Sequence, residues 1–111
     1  MIYLVTTFAS YEYVERFGWY ELQADRTIGY YNKYEDAKNV VENNIGDICE
    51  TIYNYAIIEG IEEGLYPTCD IQELYEVRDI VKDGIYNIEE LYYKKIEAPN
   101  DFFKGDSKIV G

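Results

Sequence analysis

Between residues 25 and 37, DRTIGYYNKYEDA, the spacing of apolar side chains changes from the period of a strand to that of a helix. Arg26, Ile28 and Tyr30 alternate with Thr27, Gly29 and Tyr31, the two-residue period that sends successive side chains to opposite faces of a sheet. From Tyr34 the period lengthens, and Tyr34, Ala37, Val40, Val41 and Asn44 share one side of a helix. Asn32 reads as the N-cap, with Glu35 three residues later in the capping-box position, and Gly46 reads as the stop. A strand that leads straight into an amphipathic helix needs a sheet for that helix to cover, which points to a mixed α+β fold.

The rest of the chain supplies the sheet. Ile2, Leu4, Thr6 and Phe8 alternate with Tyr3, Val5 and Thr7 in a run apolar on both faces, expected of an interior strand or of an edge covered by a helix. Residues 10–25 read as a long irregular hairpin connection, with or without a short strand of its own. Its apolar cluster is Phe17-Gly18-Trp19-Tyr20, where the single tryptophan either caps the core or meets a partner. Further strands are predicted over residues 52–61, 73–79 and 92–96, while residues 88–91 read equally as a helical turn or a strand. Glu62-Glu63-Gly64 and Lys82-Asp83-Gly84 supply turns, Pro67 ends or edges the strand it follows, Pro99 ends the last strand, and the tail KGDSKIVG is a candidate extra edge. The expectation is a single α+β domain over residues 1–111: a mainly antiparallel sheet of about five strands, with one main amphipathic helix packed on a face.

Charge narrows the function. Twenty-two acidic against 10 basic residues leave a net charge of −12, which opposes direct nucleic-acid binding and anionic membranes and favours solubility or a basic partner. Screening over about 8 Å still permits a local site for a small anion. No segment approaches a membrane span, and the N-terminal residues lack the pattern of a signal peptide, so a soluble cytoplasmic protein is expected.

Chemistry is sparsely represented. Histidine is absent, and Cys49 and Cys69 are isolated, so zinc sites of Cys and His and histidine-dependent triads are not expected; both cysteines read as reduced thiols. Phosphate-loop, dinucleotide and nucleophile-elbow motifs are missing, as is the EF-hand order of carboxylates. The expectation is a protein that is not an enzyme and uses no metal or cofactor.

Asn44, Asp47 and Glu50 recur at a spacing of three where the helix should end. They read either as a loop-solvating helix end or as a site.

The run from residue 26 to residue 67 resembles a family of small uncharacterised proteins of Firmicutes and their phages. The resemblance is carried by Arg26, Thr27, Gly29, Tyr30 and Tyr31, by Glu35 and Ala37, and by Asn44, Asp47 and Glu50. Tyr55, Ala56, Ile58, Glu59, Glu63, Gly64, Tyr66 and Pro67 complete it. Residues 11–23 and 80–91 depart from the family pattern. The resemblance implies a phage or mobile-element origin. A small, acidic, non-enzymatic protein of that type is expected to act in the host cytoplasm by binding a host component.

Two functions are then expected as alternatives. One is sequestration of a small nucleotide-like immune signal by a non-catalytic counter-defence protein. Arg26 would fork onto phosphate, a tyrosine (Tyr30 or Tyr55) would stack on a base, and Thr27, Asn44, Asp47 and Glu50 would meet polar edges and hydroxyls. The other is an acidic protein-surface inhibitor, anti-CRISPR-like or a DNA-charge mimic, that blocks a basic host defence protein. Arg26 has a second reading as a structural ion pair with Asp47 or Glu50. Fourteen tyrosines in a chain of 111 residues also lead us to expect a homo-oligomer.

Overall fold

The computed structural model describes residues 1–43, 54–63, 69–81, 88–100, 102 and 103. They form, in chain order, β1 (Ile2–Phe8), β2 (Ser10–Val14), β3 (Trp19–Gln23), β4 (Arg26–Tyr31), α1 (Tyr34–Glu42), β5 (Tyr55–Ile61), β6 (Cys69–Val81) and β7 (Ile88–Ile96). Five strands make one antiparallel sheet in the order β4-β1-β5-β6-β7, and β2 and β3 make a separate hairpin. The fold is therefore α+β, with one helix on a five-stranded antiparallel sheet among the described residues, as the periodicities predict.

Both faces of the sheet are covered. On one, Ala37, Val40 and Val41 of α1 pack on Val5, Ala56, Ile58, Tyr75 and Val77, with Tyr3, Ile28, Tyr31 and Tyr34 at the margin. On the other, Tyr11, Tyr20 and Leu22 of the hairpin close over Phe8, Ile57, Leu74 and Phe102. Central strands held between two layers lose the polar alternation of a half-exposed strand. That is why β1 and β5 read as nearly unbroken apolar runs.

Several boundaries differ from expectation. Residues 10–25 are a regular hairpin rather than an irregular connection: Tyr11 pairs with Leu22 and Tyr13 with Tyr20, and Tyr11, Tyr20 and Leu22 find apolar partners in Phe8, Ile57, Leu74 and Phe102. The N-cap of α1 is Lys33, in extended conformation and without a side-chain cap bond, not Asn32; the helix ends at Asn43. Residues 88–91 are strand, and β6 is longer than predicted at both ends. Gly46, Pro67, the turn at residues 82–84 and the tail from residue 104 lie outside the described residues.

A β-bulge also changes the faces of β4. Gly29 lies opposite Val5 and Thr27 opposite Thr6, so Ile28 is the extra residue. It packs with the helix-side cluster, on the side of Arg26, while Tyr30 falls on the opposite face, so the predicted common face of Arg26, Ile28 and Tyr30 is split.

Candidate functional site

β4 is an edge of the sheet among the described strands, and it carries three of the predicted site residues. Thr27 and Tyr30 belong to the face away from the helix. Arg26, opposite Thr7, belongs to the helix side of the same strand. Thr27 is fixed: its Oγ1 lies 2.9 Å from Oγ1 of Thr6, which is fully buried. Arg26 is held by its backbone, its carbonyl accepting from Thr7 Oγ1 at 3.4 Å. Its side chain is exposed, with no carboxylate within ion-pair distance among the described residues. Tyr30 is 71% exposed, and none of the ring contacts among the described residues involves it.

Tyr55 is on the Tyr30 side of the sheet but two strands away, facing Phe8. Its ring stacks on Phe8, with centroids 5.1 Å apart and planes 16° apart, and Tyr11 meets it edge-on at 5.3 Å. The structure thus gives Tyr55 a packing role beneath the hairpin and groups Arg26, Thr27 and Tyr30 along one edge. Asn44, Asp47 and Glu50, and hence the alternative ion pair with Arg26, lie outside the described residues.

Two polar clusters escaped the sequence reading. On the helix side, Glu73 Oε1 accepts from Tyr34 Oη at 2.5 Å and Tyr75 Oη at 3.2 Å, and its Oε2 meets Lys95 Nζ at 2.6 Å. This clasp joins the first residue of α1 to β6 and β7. Burial would raise the Glu73 carboxyl, but the bonds from Lys95, Tyr34 and Tyr75 outweigh it and hold the group below its ordinary value. Burial pushes the Tyr75 phenol up, and its contacts with Tyr34 and Glu73 add to that; Tyr34 is raised by burial and then by the bond to Glu73. The Lys95 ammonium is raised by its bond to the carboxylate.

On the opposite face Glu59 is fully buried, and its Oε2 is approached by Gln72 Nε2 at 3.3 Å and Cys69 Sγ at 3.6 Å. Tyr30, Leu4, Glu59 and Gln72 form one row across β4, β1, β5 and β6. The available signal was an acid within the buried run YAIIEGI. Nothing marked Glu73, because its partners come from three different elements.

The fold and this edge define an acidic α+β protein that displays polar and aromatic side chains along a sheet margin. No protein-family model, curated protein or solved structure matches the chain. No helix among the described residues is long and apolar enough to cross a membrane.

Proposed function

We propose that this protein is a non-catalytic binding protein that captures a small nucleotide-like ligand along β4 and withholds it from its receptor, as a phage counter-defence protein would. The observation that supports this reading is the exposed Tyr30 ring on a strand that opens with Arg26, whose guanidinium has no carboxylate partner among the described residues. A π-face and a planar cation are the two groups that a base and a phosphate require. The two residues are four positions apart, about 13 Å at roughly 3.3 Å per residue, and project to opposite faces. A ligand that used both would wrap the edge rather than fill a closed pocket.

The test is a panel of cyclic dinucleotides and ADP-ribose derivatives, scored by melting temperature and followed by heat release. A raised melting temperature and recovery of the intact ligand support sequestration, and Tyr30→Ala should weaken binding by about 5- to 150-fold. Recovery of a cleaved product means that the protein is an enzyme. No shift with any nucleotide replaces this reading with the acidic surface-inhibitor alternative, which the exposed aromatics and paired carboxylates of the β2–β3 hairpin favour.

A further inference from the structure

The hairpin has an inward and an outward side. Tyr11, Tyr20 and Leu22 turn inward onto Phe8 and Phe102. Alternation therefore sends three cross-strand pairs outward: Val14 with Trp19 beside the turn, Glu12 with Glu21 in the middle, and Ser10 with Gln23 at the base.

At the turn, Phe17 and Trp19 are 47% and 46% exposed, yet they are ordered against each other. Their rings stack with centroids 4.9 Å apart and planes 12° apart, and the Arg16 guanidinium lies 5.5 Å from the Phe17 centroid. The backbone beneath them is set: Phe17 N and Gly18 N donate to the Val14 carbonyl at 3.1 and 2.8 Å, with Gly18 at φ 72°. Two large rings held in this way lose little further freedom on docking, so most of their contact area would count towards affinity.

Next to them stands an arrangement that does not favour the hairpin itself. Glu12 and Glu21 are directly opposite on the outward side, both exposed, and like charges in such a pair destabilise a hairpin. Gln23 Nε2 offers Glu12 Oε2 a bond of 3.3 Å, which offsets part of this repulsion. Glu15, exposed in the turn, adds a third carboxylate. A cationic surface laid over this side would relieve the repulsion while it covered the rings.

We infer that the outward side of the β2–β3 hairpin is a docking surface for another protein, one with an apolar cleft bordered by lysine and arginine side chains. Phe17 and Trp19 enter the cleft, and Glu12, Glu15 and Glu21 meet its rim. A second copy of this chain is a poor occupant, since it brings the same carboxylates and a net charge of −12. An anionic lipid surface is disfavoured on the same ground. The inference goes beyond ligand capture and uses none of the β4 residues.

The experiment places a photo-reactive benzoylphenylalanine at Phe17 in the chain expressed in bacterial cells, identifies the cross-linked peptide, and then measures binding to that purified protein. Isothermal titration calorimetry supplies the affinity readout for every variant, Trp19→Ala included. The expected result is a cross-link to one protein within an apolar, base-rimmed cleft. Phe17→Ala and Trp19→Ala should each weaken binding by about 30-fold or more, and Glu12→Lys with Glu21→Lys should slow association at low salt. Tyr30→Ala should bind that partner as the wild type does, which separates this surface from the β4 edge. Unchanged melting temperatures would establish that the hairpin variants still fold. A cross-link only to other copies of this chain, wild-type affinity in both ring variants, or no cross-link would each overturn the inference.

Discussion

The Tyr31 ring lies over Gly29: a methyl group on residue 29 would stand 3.2 Å from Tyr31 Oη and 3.3 Å from its Cε2. Aromatic cover of a strand glycine restores packing at a position without a side chain. Gly29→Ala should destabilise modestly, by about 1 kcal/mol or less, because the ring must yield while the unfolded chain loses freedom in compensation. In a Tyr31→Ala background the same change should become neutral or stabilising. A double-mutant cycle by denaturant titration measures this coupling, and additive single effects would contradict it.

Lys33 occupies the N-cap of α1 at φ −123° and ψ 135°, the extended conformation that a cap requires, but makes no side-chain cap bond. Lys33→Ser should therefore stabilise the protein by about 1 kcal/mol. Asn32→Ala, outside the helix, should change stability by less than about 0.5 kcal/mol. Thermal melting of both variants checks the assignment, which fails if Asn32→Ala is the costly one.

Glu73 should make stability depend on pH. Its folded-state pKa is lowered, so its contribution is fully present above the ordinary value of 4.5 and is lost as pH falls through the lower folded value. Glu73→Gln should cost about 1–3 kcal/mol at neutral pH, and the difference from wild type should shrink on acidification. Lys95 has the opposite sense. Its raised pKa gives a contribution present below the ordinary value of 10.5 and lost as pH rises through the folded value. Melting curves from pH 7 down to pH 3 test the carboxylate, and a difference that stays constant with pH would show that Glu73 acts through packing alone.

Phe102 fastens the hairpin to the sheet. It is fully buried and meets Tyr11, Tyr20 and Phe103 at ring centroid distances of 5.3, 5.5 and 4.8 Å. Phe102→Ala should cost about 3–5 kcal/mol. Hydrogen exchange should show β2 and β3 opening before β1 and β5. Uniform loss of protection would mean that hairpin and sheet unfold as one unit.

The sequence by itself determined the elements whose period was set locally. β1 and the strand-to-helix change after Tyr31 follow from alternation and from the 3.6-residue recurrence of Ala37, Val40 and Val41, because a buried side needs the same spacing whatever covers it. It also placed Arg26, Thr27 and Tyr30 on one strand. Tertiary structure decided what depended on partners remote in the chain. The bulge that parts Tyr30 from Arg26 and Ile28 is a property of the β1–β4 register, which neither strand encodes alone. The hairpin of residues 10–25 looked irregular because Glu12 and Glu21 are poor strand residues; Tyr11, Tyr20 and Leu22 set its place by finding Phe8 and Phe102. Tyr55 was drawn beneath that hairpin, away from Tyr30 at the exposed edge. The Glu73 clasp joins residues 34, 73, 75 and 95, and a carboxylate gathers such donors only after the sheet has brought them within hydrogen-bond reach.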